Sequence, residues 1–257
     1  MAKRYMFHKW DILKIMDPLT GKNILITGAA RRIGRELALA VARAGANVVL
    51  HHAHSNEDAE KTAREIRALG VQCMIIQADL TDLNQAENLI SRCSSVSPLF
   101  GLINNAAMYN GLFWDDVTIK SWHEHLDLNL GAPFFLSQAF AKALPPDSSG
   151  RIVNILDWRA LRPGADHLPY TISKSGLAAL THSLAVSLAP HITVNAIALG
   201  AILAPSDGAF SPNILKSVPM DRWANENEVS DTLLFLFTGP EYITGEIIHV
   251  DGGRHLK

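Results

Sequence analysis

Seven short apolar runs, each bounded by turn residues, alternate with longer stretches whose apolar residues recur at helical spacing, and this alternation leaves few folds open to the chain. The runs are "NILIT" (23–27), "NVVLHH" (47–52), "CMIIQAD" (73–79), "GLINNA" (101–106), "RIVNIL" (151–156), "HITVNAIA" (191–198) and "EIIHVDG" (246–252). Runs apolar at nearly every position suit strands buried on both faces, and the stretch between two of them is long enough for a crossover helix. The pattern predicts helices over 32–44, 57–69, 83–94, 119–143, 170–188 and 228–237. The expected fold is α/β: a single Rossmann-type doubly wound domain with a seven-stranded parallel sheet. Residues 1–19 read as an N-terminal extension, 20–257 as the domain, and 203–228 as a long loop or small-helix insertion of the kind that forms lids.

Composition narrows the partners. Of 257 residues, 48% are hydrophobic and 19% charged, enough apolar surface for one full core. The net charge is −2 with no clustered basic tract, so nucleic acid is not an expected partner. Cys73 and Cys93 have no second ligand at metal-binding spacing, which predicts free buried thiols and no metal. The basic start is interrupted by Asp11, Lys14 and Asp17 before an apolar run reaches signal-peptide length, and the most apolar region, 177–204, is broken by polar residues and Pro190. A cytoplasmic, non-membrane protein with a small-molecule substrate is the expectation.

After the first strand comes "TGAARRIGRELALA" (27–40), where Gly28 and Gly34 let a pyrophosphate approach a helix N-terminus, whose unpaired N–H groups and dipole favour anions. Where an NAD-preferring site places an acid, the second strand ends in "LHHAHSNED", and no carboxylate precedes Glu57 to repel a 2′-phosphate. Arg31, with His54 and Ser55, can bind that phosphate, so NADP(H) is the expected cofactor. His51 and His52 read either as part of this site or as solvated loop residues. "YTISK" sets Tyr170 and Lys174 four residues apart on one helix face, so that a cation can bring a phenol toward its working range. The same spacing in "YMFHK", Tyr5 to Lys9, shows that context must decide.

Taken together, "TGAARRIG", "ADL" (78–80), "NNAA" (104–107), Asn129 in "LDLNLGAPF", "YTISK" and "YITGEIIHVDGG" (242–253) resemble the short-chain dehydrogenase/reductase family over residues 22–254. The resemblance implies that Tyr170 protonates the reduced centre and that Lys174 holds the nicotinamide ribose and tunes Tyr170. It implies that Asn129 orders a proton-relay water and that Asp79 and Leu80 contact the adenine. Asn105 and Ala106 would line the cofactor, as would Ile33 and Gly200. It also implies a homotetramer, which the surplus of apolar residues in 121–144 and 170–189 supports. The chain departs from the family at Asp157, Arg32 and Leu199, where a serine, a glycine and a proline are usual.

The first two departures, an Arg in the basic glycine turn and an Asp thirteen residues before Tyr170, resemble the pteridine reductases, as does the "His-x-x-Ser"-like end of strand two. In that reading Tyr109 is a stacking platform for the pterin and Arg32 faces both the pterin and the cofactor phosphates. Asp157, its pKa raised by desolvation, is a second proton donor beside Tyr170. The plainer reading of Asp157 is a capping aspartate, and that of Tyr109 a loop anchor. Two alternatives stay open: an NADP-dependent carbonyl reductase of 3-ketoacyl or sugar type, and a non-catalytic NADP-sensing protein.

Overall fold

The computed structural model describes residues 18–94, 98–203 and 213–257. Most of the expected N-terminal extension, with Tyr5 and Lys9, and residues 204–212 of the expected lid lie outside the described residues. The strands are β1 (Asn23–Ile26), β2 (Asn47–His52), β3 (Cys73–Gln77), β4 (Gly101–Asn104), β5 (Gly150–Asp157), β6 (Ile192–Leu199) and β7 (Ile247–Val250). The helices are α1 (Arg32–Arg43), α2 (Asn56–Ala68), α3 (Leu83–Ser94), α4 (Ile119–Leu126), α5 (Ala132–Ala143), α6 (Leu168–Leu188), α7 (Asn213–Lys216) and α8 (Glu226–Thr238).

All pairings are parallel, in the order β3-β2-β1-β4-β5-β6-β7. The order reverses between β1 and β4, which opens a crevice at the strand C-termini. Alternation along each strand divides the core. Ile24 and Ile26 join Leu37, Val41, Ile66, Leu233 and Phe237 from α1, α2 and α8 on one face. Leu25 joins Leu89, Leu136, Phe140 and Leu184 from α3, α5 and α6 on the other. Each such fully buried side chain contributes about 1.5–3 kcal/mol relative to exposure.

Four expected elements differ for local reasons. The third and fourth strands stop at Gln77 and Asn104, because the chain then leaves the ladder to line the crevice. The single helix expected over 119–143 is a rod interrupted by a π-helical segment, Asp127–Gly131, which leaves the apolar spacing on either side intact and is therefore silent in the sequence pattern. Helix α6 begins at Leu168, two residues before the expected Tyr170, with Pro169 in its first turn, where a missing N–H costs nothing. A buried polar ladder fixes α6 to the sheet: Asn104 Nδ2 donates to Asn154 Oδ1 at 2.8 Å, and Asn154 Nδ2 to Thr181 Oγ1 at 2.9 Å. Cys73 and Cys93 are free and buried, as expected, and burial pushes both thiols up to about 11. Among the described residues, no helix is long and apolar enough to cross a membrane.

Candidate active site

A cleft of about 1190 Å³ runs along the C-terminal ends of the strands. It gathers Gly28, Arg31, Arg32, Ile33, His54, Ser55, Asp79, Leu80, Asn105, Ala106, Tyr109, Asp157, Tyr170, Lys174 and Gly200, residues spread over most of the sequence. That size exceeds the roughly 300–1,000 Å³ of a typical single-ligand pocket, so two molecules can share it.

The glycine turn is built by sterics. Gly28 has φ +63°, and a Cβ there would sit 3.0 Å from Ala106 Cα; at Gly34 a Cβ would fall 2.1 Å from the Gly28 carbonyl oxygen. Thr27 staples the turn to β4, its hydroxyl accepting from the Asn105 and Ala106 N–H groups at 2.9 Å each, while Asn105 Nδ2 donates to the carbonyls of Thr27 and Gly28. Arg32 adopts φ +54°, the left-handed region in which a glycine is free and an arginine is strained. His51 is no solvated loop residue: it is buried, accepts from Gly28 N–H at Nδ1 (3.1 Å) and places Nε2 3.0 Å from the Ala78 carbonyl. Accepting at Nδ1 needs the neutral ring with its proton on Nε2, and burial lowers its pKa to about 4. His52 is buried as well. Ser55 precedes α2 without a capping hydrogen bond from its side chain, and Asp79 accepts from Thr81 N–H and Oγ1, bonds that hold its carboxyl below the usual range.

At the other end, β5 delivers Asp157 and α6 delivers Tyr170 and Lys174. Asp157 is a capping aspartate, accepting from Arg159 N–H at 2.9 Å, and it also faces the cleft. Burial raises its pKa against that hydrogen bond and the nearby Arg159, Lys174 and Arg254 charges. The spacing of "YTISK" brings the Lys174 ammonium over the Tyr170 ring, 5.8 Å from its centroid, while it donates to the Ile155 carbonyl at 2.7 Å. Burial, with Asp157 and Tyr109 alongside, pushes the phenol well above its ordinary value. Full burial lowers Lys174 to about 8.

Asn129 does not line the cleft. It is fully buried in the π-helical segment, where its Nδ2 donates to Met108 O and Ser173 Oγ at 3.0 Å each and its Oδ1 accepts from Met108 N–H at 2.8 Å. Its side chain thereby ties the loop after β4 to α6, with both amide N–H groups taken up in that tie. Tyr109, on that loop, stacks on His167 with ring centroids 4.2 Å apart and meets Tyr170 edge-on at 4.7 Å.

Sequence reasoning missed the wall that supports Tyr109. His167, at φ +56°, binds Asp166 through Nδ1 at 2.9 Å, and Arg159 Nη2 donates to the same Asp166 oxygen at 2.8 Å. Arg254, from the last turn of the chain, lies over the Trp158 ring at 4.3 Å and lines the same cleft. The "DWR" that includes Asp157 was a local signal for Trp158 and Arg159; for Arg254, almost one hundred positions on, the chain carries none.

A family model described as short chain dehydrogenase matches residues 22–214. A 3-oxoacyl-[acyl-carrier-protein] reductase from Synechocystis sp. is 33% identical over 243 residues, covering 93% of this chain and 98% of the relative. Among solved structures, FolM alternative dihydrofolate reductase 1 from Brucella canis, complexed with NADP, superposes with a TM-score of 0.85 at 33% identity, over 92% of this chain and 95% of that one. A short chain dehydrogenase from Burkholderia cenocepacia in complex with NADP gives a TM-score of 0.86 at 32% identity, over 92% and 98% of the two chains. With the doubly wound sheet, the stapled glycine turn and the Tyr170–Lys174 helix meeting in one cleft, these matches show that the chain is an oxidoreductase of the short chain dehydrogenase family.

Proposed function

We propose that this enzyme is an NADPH-dependent reductase of a pteridine-type substrate, of the pterin or dihydrofolate class, working as a homo-oligomer of tetrameric order in the cytoplasm. The observation that carries the reading is Asp157, a carboxyl in the cleft beside Tyr170 whose pKa burial raises. Reducing a C=N bond takes a hydride on carbon and a proton on nitrogen; NADPH, held in this cleft, would supply the hydride, two electrons and one proton together, becoming NADP⁺. The chain's own residues supply the other proton. Tyr170, whose phenolate burial disfavours, is one donor lining the cleft, and Asp157, when protonated, would be a second. Two donors suit a ring nitrogen better than the single phenol and serine usual in the family.

The cleft fits the cofactor. The crowding at Gly28 and Gly34 leaves the first turn of α1 open to a pyrophosphate, and Arg31, Arg32, His54 and Ser55 offer cationic and hydroxyl donors to a 2′-phosphate with no carboxylate among them. Ile33, Asp79, Leu80, Asn105, Ala106 and Gly200 line the groove between, and Lys174, held by Ile155 O, is in place to bind a ribose hydroxyl. Asn129 acts by positioning the loop and helix that flank it. Tyr109, half-exposed and backed by His167, offers an aromatic face to a flat ring, and Arg32 lines the same cleft. The solved FolM relative, an alternative dihydrofolate reductase complexed with NADP, supports the substrate class and the cofactor.

A second reading, a 3-oxoacyl reductase in which Asp157 polarises a carbonyl, is favoured by the similarity to 3-oxoacyl-[acyl-carrier-protein] reductases. Purified protein mixed with NADPH and, separately, dihydrobiopterin, dihydrofolate and 3-oxoacyl thioesters distinguishes the two by loss of NADPH absorbance. Pterin turnover is expected; thioester turnover without pterin turnover overturns the reading, and a preference for NADH overturns the roles of Arg31, His54 and Ser55.

A further inference from the structure

Two guanidiniums at the substrate end of the cleft are unaccounted for by hydride or proton transfer. One indole, Trp158, carries both: the Arg159 and Arg254 guanidinium carbons lie 4.8 and 4.3 Å from its ring centroid. Arg159 is paired with Asp166. Arg254 has no ion-pair partner within 4.0 Å among the described residues, and the Nε atoms of both arginines are buried without a hydrogen-bond partner. Arg254 lies near the Asp157 and Asp166 carboxylates as well as the Arg159 cation, but none of them pairs with it, so its fork is left to meet an incoming anion. The position of Arg254 is also fixed. Asp251 accepts from Gly253 N–H (2.9 Å), His255 N–H (2.8 Å) and His255 Nδ1 (2.8 Å), and Arg254 N–H closes back on Asp251 O. The last turn of the chain is thereby a rigid mount that presents one arginine to the cleft.

We infer that the substrate of this enzyme carries a carboxylate, which Arg254 binds through its guanidinium fork while Arg159, locked by Asp166, flanks it. The inference rests on the reading of this cleft as the reductase site and deepens it. Among pteridines it selects an acid-bearing, folate-type molecule over a neutral biopterin-type one. A planar fork matches a carboxylate bidentately, and the Trp158 face keeps that plane in one orientation.

The test compares one molecule with and without its charge. Steady-state kcat/KM is measured for dihydrofolate and for its dimethyl ester, with NADPH, in the wild type and in Arg254→Gln. The wild type is expected to favour the acid by about tenfold or more, the effect of one charge-assisted hydrogen-bonded contact, and Arg254→Gln to bring the ratio to within about threefold. A ratio of two rates on the same protein is insensitive to general damage, and Arg254→Lys, which keeps the cation but not the fork, is expected to fall between. Equal use of acid and ester by the wild type, or an unchanged ratio in Arg254→Gln, overturns the carboxylate site while leaving the pteridine reading intact. If pterins are inert and ketones are reduced, the pteridine reading fails, and acetoacetate against methyl acetoacetate decides the carboxylate site by the same ratio. Inertness of all four removes both.

Discussion

At Asp157 the two readings open in the sequence prove compatible: the carboxylate caps the short 3₁₀ turn Trp158–Ala160 and also faces the cleft. Burial disfavours this carboxylate as an anion despite its Arg159 N–H bond and the nearby Arg159, Lys174 and Arg254 charges, so its removal should separate activity from stability. In Asp157→Asn, the amide oxygen can still accept from Arg159 N–H, and the thermal midpoint is expected to equal or exceed that of the wild type. Pterin reduction is expected to fall by about 100-fold or more with NADPH affinity retained, the scale of a lost proton donor. Calorimetry and stopped-flow rates on the same preparation check both, and a near-normal rate would leave Asp157 structural. Arg32 makes the complementary case. Its φ of +54° costs a non-glycine residue roughly 1–2 kcal/mol. Arg32→Gly is expected to unfold at a higher urea concentration than the wild type and to bind NADPH more weakly; a gain in affinity would remove Arg32 from the cofactor site.

Among the elements, the end of β2 holds a pH-sensitive joint. His51 accepts the Gly28 N–H, and its folded pKa of about 4 lies below the ordinary value of 6.5. The unfolded chain therefore binds the extra proton between those limits, and stability, whole above pH 6.5, falls as pH drops toward 4, by up to about 1.4 kcal/mol per pH unit. The urea midpoint is expected to decline between pH 6.5 and 5, above the titration of ordinary carboxylates, and His51→Gln to flatten that decline. A flat wild-type profile would show that the ring is not held neutral. The π-helical segment is the other decisive element. It turns Asn129 onto Met108 and Ser173, so the loop bearing Tyr109 and the helix bearing Tyr170 are set relative to each other by one amide. Apolar spacing reads these stretches as a strand and a continuous helix, yet neither the inward face of His51 nor the π-helical break at Asn129 leaves a mark in that spacing.

For the molecule as a whole, exposed apolar residues occur on loops, as at Phe113 and Trp114, and also on the helical layers and beside the sheet edge. Ile119, Ile172 and Val186 lie on α4 and α6, Phe235 on α8, and Tyr242 precedes the edge strand β7. A row of unpaired strand groups beside apolar helix faces is ordinarily covered. Sedimentation at micromolar concentration is expected to give a tetramer, and Val186→Glu on α6 to shift it toward smaller species with the fold retained by circular dichroism. A monomeric wild type would overturn the assembly.

The sequence by itself determined the strand count, the parallel doubly wound sheet, the glycine turn and the Tyr170–Lys174 helix. These rest on local chemistry: period, turn residues, and steric demands made within a few positions of one another. Only the tertiary structure decided what each polar group in the cleft experiences. Burial, with Asp157 and Tyr109 alongside, pushes the Tyr170 phenol up, while Lys174 donates to Ile155 O. Arg254 joins Arg159 on one indole because the last turn of the chain folds back across the end of β5. Desolvation and charge proximity depend on distances through space, and spacing along a chain does not encode them.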